Sequence, residues 1–293
     1  MSIIYDLDIQ TYHQQTERWS HSRFRDFVEK GARYVFDKYV LKTIPDEPTA
    51  AMLEGRALET WVQEGDATFE QMVYIQRVPG TNKEGKDLLR SAKAAGKIVL
   101  KPERYELLKQ ARASLYDNAE GMQLIEPAMT QVTLTGEAFG LPMQSRPDWV
   151  HFDGLAVTDY EPYSVDLKKC DRLNGFDNKA YFLGIHTQAA LVRAMMRANG
   201  YARSQHYLLV VETSGACRSQ LKRIPDSVLD YADKYYQTYA PDLLECIRTN
   251  TWPRTLPPAD LTIPHLRASA DALPADEDET TPDEESAEEA EGV

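Results

Sequence analysis

Apolar positions recur at helical spacing over residues 20–40, where Phe24, Phe27, Val28, Tyr34 and Val35 follow Ser20 or Ser22 as a cap. A second helix is predicted over 48–64, with Met52, Leu53, Ala57, Leu58, Trp61 and Val62 as its apolar side. Pro79-Gly80-Thr81-Asn82 reads as a loop, followed by helices over 83–95 and 103–117 around a short Lys97–Leu100 segment. The pattern then changes period. Gln131–Thr135 is strand-like with β-branched residues, Gly136 and Gly140 mark a turn or bulge, and Leu141–Val150 predicts a second strand. Asp153-Gly154 predicts a turn, and Ser164–Lys168 a third, short strand. One helix is expected over 177–198, stopped by Gly200. Tyr207–Val211 is a continuous apolar run, as in a strand covered on both faces. A long helix follows over Asp226–Thr249, capped by Asp226 or Ser227. Helices, then a strand cluster, a helix, a strand and a helix predict an α/β core with a mixed sheet and an N-terminal helical part. No internal repeat is visible.

Composition adds little until charge is placed along the chain. The 293 residues are 42% hydrophobic and 27% charged, ordinary for a globular protein. No run of about 18 apolar residues exists, so no membrane span is expected, and the N-terminus lacks a secretory pattern. Cys170, Cys217 and Cys246 form no Cys-x-x-Cys pair, which argues against zinc or iron–sulfur sites and for reduced thiols in the cytosol. The net charge of −13 seems to oppose DNA binding, but eleven of the 46 acids lie in residues 271–293, which contain no Lys or Arg. The remainder carries 35 acids against 33 bases. A near-neutral body can present a basic groove. The stretch 83–112, with Lys83, Lys86, Arg90, Lys93, Lys97, Lys101, Arg104, Lys109 and Arg112, fits either a DNA contact or a solvated helix face. Residues 268–293, acidic and without aromatics, are expected to be disordered.

The candidate chemistry lies mid-chain. Arg146-Pro147-Asp148 is followed after seventeen residues by Asp166-Leu167-Lys168. Side chains alternate along a strand, so Asp166 and Lys168 share a face, and Asp148 on a neighbouring strand would complete a site of two carboxylates and an ammonium. Carboxylates hold a hard cation, which activates water and stabilises charge on phosphate, and the lysine orients water or neutralises charge. Asp-x-Lys alone also fits a surface ion pair. Glu126 and Glu137 are further acids near the strands. Asp153, Asp159 and Asp171 fit turns or caps, His186 fits a satisfied structural histidine, and Arg146 fits a phosphate contact or an ion pair.

An ordered series of motifs carries more weight: His21-Ser22-Arg23-Phe24, Gly55-Arg56-Ala57-Leu58-Glu59, Ala94-Ala95-Gly96-Lys97, Ser145-Arg146-Pro147-Asp148, Val165-Asp166-Leu167-Lys168, Phe176, Gly184-Ile185-His186-Thr187-Gln188-Ala189-Ala190 and Thr251-Trp252-Pro253. Over about residues 15–258 the chain resembles the PD-(D/E)XK nuclease superfamily, more narrowly the exonuclease domain of exodeoxyribonuclease VIII, the RecE type, with lambda exonuclease a more distant relative. The resemblance implies a restriction-endonuclease-like α/β (α+β) core, a central mixed sheet flanked by helices. It implies one domain over 1–258, with a helical part at 1–125 and a catalytic core at 126–258, and an acidic tail at 259–293. It also implies that Asp148 and Asp166, with the Leu167 carbonyl, bind Mg²⁺ (Mn²⁺ as substitute), that Lys168 acts on the attacking water, and that Gln188 positions DNA or the lysine. Two residues depart from the family. Glu59 stands where RecE-type proteins usually carry histidine; its carboxylate is an expected metal ligand, and oxygen suits a hard ion. Val192 stands where a tyrosine is common, so that role is missing or supplied elsewhere, Tyr181 being the candidate.

The function so implied is a Mg²⁺-dependent duplex-DNA exonuclease, 5′→3′, yielding 5′-phosphates and leaving 3′ single-stranded tails for recombination. A ring-like homo-oligomer, a single-strand annealing partner and the cytoplasm of a bacterium or phage-infected host complete the expectation. The alternatives are an endonuclease or single-strand nuclease of the same superfamily, and a non-catalytic DNA-end or recombinase-binding module.

Overall fold

The computed structural model describes residues 2–45, 47–152 and 161–254. The acidic stretch, Asp153, Gly154 and Asp159 lie outside them. Contacts divide the chain into Met1–Arg254 and Thr255–Val293.

The chain opens with β1 (Ser2–Ile4), α1 (Ile9–Gln14), α2 (His21–Lys30) and α3 (Ala32–Val35), which runs into a π-helical turn at Phe36–Val40. Helices α4 (Ala50–Gln63) and α5 (Asp66–Met72), strand β2 (Val73–Ile75), α6 (Lys83–Ala94), β3 (Ile98–Leu100), α7 (Pro102–Tyr116) and α8 (Ala119–Ile125) complete the N-terminal part. Next come β4 (Met129–Thr130), β5 (Thr133–Ala138), β6 (Leu141–Ser145), β7 (Trp149–His151) and β8 (Tyr163–Cys170). The described part ends with α9 (Phe176–Phe182), α10 (Ile185–Ala198), β9 (Gln205–Glu212), β10 (Ser219–Arg223) and α11 (Asp226–Thr249).

The principal sheet has the order β10-β9-β8-β7-β4; β8 and β9 are parallel and the other pairs antiparallel, so the sheet is mixed as expected. Smaller sheets are β1-β5-β6 and the parallel pair β2-β3. Strand β9 is covered on both faces, which explains its uninterrupted apolar run. Leu208 and Val210 enter a core with α2, α10 and α11, through Phe24, Leu191, Met195 and Tyr236. Leu209 and Val211 enter a second core with α4 and α7, through Leu58, Trp61, Leu108 and Leu115. A fully buried leucine or phenylalanine side chain contributes about 2 kcal/mol, so both faces hold the sheet firmly.

Three predicted elements divide. The helix over 20–40 breaks at Gly31, whose φ of +89° admits glycine readily. Ser20 provides the cap, accepting from the Arg23 N–H. The strand over 141–150 becomes β6 and β7, in different sheets. Pro147 cannot donate to a ladder, and the chain leaves β5 there to join β8. The helix over 177–198 divides at Gly184, left-handed at φ +68°, where a Cβ would lie 3.0 Å from Thr187 Oγ1. The long C-terminal helix holds its predicted span, but its N-cap is Pro225, with no side-chain cap from Asp226 or Ser227. Strands β1, β2 and β10 and helices α1, α5 and α8 escaped the sequence pattern; each has eight residues or fewer, too short for a clear period.

Candidate active site

The break at Pro147 puts Asp148 immediately before β7, and Trp149 pairs with Val165 on β8. Asp148 therefore faces Asp166. The Asp148 N–H donates to Asp166 Oδ1 at 3.1 Å, and the Leu167 N–H donates to Asp148 Oδ2 at 2.7 Å. Asp166 and Lys168 point to the same face of β8, with Lys168 Nζ 3.9 Å from Asp166 Oδ2. Helix α4 contributes Glu59. One turn further on, Gln63 Nε2 donates to the Asp148 carbonyl at 3.2 Å and docks that face of the helix on the site.

Charges here act on one another in little water. Burial drives the Asp148 carboxyl well above its usual range, and the charges of Glu59 and Asp166 add to the rise. Burial also raises Glu59, with Asp166 adding to it against the pull of Lys168 and Arg146. Burial opposes the charge on Lys168, but Asp166, Asp148 and Glu59 together hold its pKa above the ordinary lysine value. Three carboxyls around one ammonium leave an excess of negative charge, and every acidic donor is oxygen. That chemistry fits a divalent hard cation, which usually keeps several waters and takes one or two carboxylates. Among the described residues no three His, Cys, Asp or Glu side chains already surround a common cation position. Asp148 and Asp166 are tied together by the hydrogen bonds above, and Glu59 is near enough for its charge to act on Asp148 and Lys168.

This geometry meets its counterpart in sequence. A family described as a PDDEXK-like domain of unknown function, DUF3799, matches residues 20–261. The chain belongs to that family. It is thereby a member of the PD-(D/E)XK nuclease superfamily, and its mixed α/β fold agrees. A crystal structure from Eubacterium rectale, of a protein provisionally named an exonuclease, is similar over 90% of this chain and 99% of that one, with 15% identity and a TM-score of 0.62. A likeness at that identity speaks for the fold alone. The structure of SSO0001 aligns over 64% of this chain and 84% of its own, at 10% identity and a TM-score of 0.25, too low to carry an argument. No curated protein matches the sequence.

Within this PDDEXK-like domain the other candidates separate. Gln188 lies half-buried on α10, and its amide makes no hydrogen bond among the described residues. Val192 is core, 1% exposed. Arg146 makes no ion pair among the described residues; it donates to the Leu7 carbonyl at 2.6 Å and lies over the Tyr12 ring. Glu126 and Glu137 are exposed and are not among the main groups that shift Asp148, Glu59 or Lys168. His186 is not the satisfied histidine that its spacing implies, because its buried Nδ1 has no partner among the described residues. Of the cations in 83–112, Arg104 is committed to Glu54 at 2.7 Å and Arg112 to Asp66 at 3.1 Å. Lys83, Lys86, Arg90 and Lys93 remain exposed along α6.

Sequence reasoning gave His21 no part beyond a helix-opening motif. In the structure its Nδ1 is 2.8 Å from Tyr236 Oη, which donates to the Thr187 carbonyl at 3.0 Å. Burial first, then the charges of Arg25 and Lys168, lower its pKa to about 3, so His21 is a neutral ring near Lys168. Nothing local in the sequence joins His21, Thr187 and Tyr236; the contact spans 215 positions.

Proposed function

We propose that this chain is a Mg²⁺-dependent exonuclease acting on the ends of duplex DNA. The observation that carries the reading is the convergence of Asp148, Asp166, Lys168 and Glu59 on one partly buried cluster in a PDDEXK-like domain. When bound, the cation polarises the phosphate and lowers the pKa of a water to make it a usable nucleophile. Asp148, Asp166 and the Leu167 carbonyl would hold it, with Glu59 as a further oxygen donor and Mn²⁺ accepted by the same atoms. Lys168, kept protonated by the three carboxyls, orients the water through Nζ or offsets the charge that builds on phosphate. Gln188, with a free amide on α10, positions the strand or the lysine. Water adds to phosphorus, the bond to the 3′ oxygen breaks, and the shortened strand keeps a 5′-phosphate.

Action at an end, 5′→3′ polarity, 3′ tails for recombination, a ring-like homo-oligomer, an annealing partner and a bacterial or phage-infected cytoplasm are inferred from the RecE-type resemblance. The similar Eubacterium rectale protein's provisional name supports the exonuclease part. The test uses linear duplex labelled at the 5′ end of one strand and the 3′ end of the other, with closed circular duplex as control and Mg²⁺ present or withheld. Early loss of the 5′ label, Mg²⁺ dependence and an intact circle are expected. A cut circle would replace the reading with an endonuclease, and no cleavage with any divalent metal would leave a DNA-binding module.

A further inference from the structure

Between α9 and α10 the chain turns at Gly184 and presents three large side chains to solvent: Tyr181 is 53% exposed, Phe182 80% and Leu183 44%. Tyr231 of α11, 53% exposed, stands beside them, its hydroxyl 3.3 Å from that of Tyr181. The imidazole of His186 is close to parallel with both rings, its centroid 4.9 Å from that of Tyr181 and 6.4 Å from that of Tyr231. Phe182 meets Tyr181 edge-on at 5.7 Å. A cavity of about 660 Å³ opens next to the rings, with Lys222 and Arg223 on its wall. His186, whose buried Nδ1 has no partner among the described residues, lines the same cavity.

The place of this elbow matters as much as its composition. A Cβ on Gly184 would lie 3.5 Å from His21 Nε2, and His21 is near enough to Lys168 to feel its charge. Arg25, from the helix that carries His21, donates to the Leu183 carbonyl at 3.0 Å. The elbow that carries the rings is thus tied, through Gly184 and the Leu183 carbonyl, to the helix of His21 and Arg25.

We propose that Tyr181, Phe182 and Tyr231 form a stacking site for unpaired nucleobases of the DNA strand presented to the Asp148–Asp166–Lys168 centre. Every base has a π-face, so such a platform holds a strand without reading its sequence. A nucleobase laid on the open face of Tyr181 or Tyr231 extends a stack that already exists. Arg223 supplies positive charge for the phosphates on either side, and Lys222, paired with Asp177 at 2.9 Å, adds to it where a phosphate takes the place of that carboxylate. Ring faces, cations and a nearby phosphodiester-cleaving cluster together favour a single strand over a protein partner, for which an apolar patch alone would serve. This inference rests on the nuclease reading above, and it adds the unpaired state of the bound end.

The test measures equilibrium binding of the full chain to a short single strand carrying 2-aminopurine, in EDTA so that no cleavage intrudes. A strand of equal length and charge with abasic positions in place of bases is the comparison. The wild type is expected to prefer the base-bearing strand by roughly fivefold to a hundredfold per stacked base, and to quench the 2-aminopurine. Phe182→Ala and Tyr231→Ala lose that preference, and Phe182→Trp keeps it. All three positions are exposed, and circular dichroism of each variant establishes that it is folded. Equal binding of both strands by the wild type, or an unchanged preference in the alanine variants, overturns the proposal. A Phe182→Glu variant that changes the molar mass in sedimentation also overturns it, because the rings would then be covered by a second copy. Cleavage of duplex in Mg²⁺ is measured separately. Cleavage without ring-dependent binding leaves the nuclease reading and removes the platform. Ring-dependent binding with no cleavage under any divalent metal does the reverse.

Discussion

Asp166 is the residue at which the charges of this domain meet. It accepts from the Asp148 N–H, lies 3.9 Å from Lys168 Nζ, and adds to the raised pKa values of Asp148 and Glu59. Asp166→Ala is expected to lower DNA cleavage by about a thousandfold or more, on the scale seen when a main electrostatic contact to a transition state is lost. Binding of uncleaved DNA should persist or strengthen, since the change removes a negative charge. Cleavage at the wild-type rate by this variant would sink the site assignment. Glu59 allows a finer test. Glu59→His introduces the residue usual in RecE-type proteins, exchanging an oxygen donor for an imidazole that suits softer metals. The ratio of Mn²⁺- to Mg²⁺-supported cleavage should rise severalfold in that variant. An unchanged ratio would place Glu59 outside the metal's reach.

Helices α10 and α11 are joined by one buried cation. Arg193, 2% exposed, reaches Asp233 at 2.6 Å and Asp230 at 2.8 Å on the facing helix. Removing one member of a buried ion pair leaves the other without compensation. Arg193→Leu is therefore expected to destabilise the fold by about 3 kcal/mol, read as a lower urea midpoint with little change of slope. Strands β8 and β9 carry a different device. His206 joins Ser164 through Nδ1 at 2.9 Å and Ser204 through Nε2 at 2.9 Å, and burial, with Arg193 and Arg197, lowers its pKa to about 3. The unfolded chain takes up a proton near pH 6.5, whereas the folded state resists it until about pH 3. The stability present above pH 6.5 is therefore lost as pH falls from there toward 3, at about 1.4 kcal/mol per pH unit for each such histidine. His21, lowered to about 3 by burial, adds in the same direction. His206→Gln should make the dependence shallower by about one proton, measured by denaturation between pH 4 and 7; an equal slope would contradict the assignment.

For the whole molecule the question is charge. A net of −13 is carried mostly by residues 271–293, which lie outside the described residues, while the rest of the chain is nearly balanced. An acidic segment on a DNA-binding chain competes with phosphate for the same cations. Truncation after residue 267 is expected to tighten DNA binding, most at low salt, where charges are least screened. Equal affinity of the two chains across a salt series would remove competition as the tail's role. No helix among the described residues is long and apolar enough to cross a membrane, consistent with the hydropathy of the sequence.

Long elements were legible because their signals are local. Helix periods at 50–63 and 226–249, the change to strand pattern near 131 and the doubly covered strand at 205–212 follow from the spacing of apolar side chains, which is a property of neighbours in sequence. The same locality put Asp166 and Lys168 on one face of a strand, and the ordered motifs indicated the family. The breaks at Pro147 and Gly184 were also written in single residues, yet their consequences were not. Whether a proline ends a strand or moves it to another sheet depends on which partner awaits it, and here β8 takes Asp148 from the end of β6. The meeting of Glu59 with Asp148, the neutral His21 held by Tyr236, and the approach of Gly184 to His21 depend on contacts between residues tens to hundreds of positions apart. Burial raises or lowers a pKa only once the chain has closed around the group, so the electrostatics of the site, unlike its composition, belonged to the tertiary structure alone.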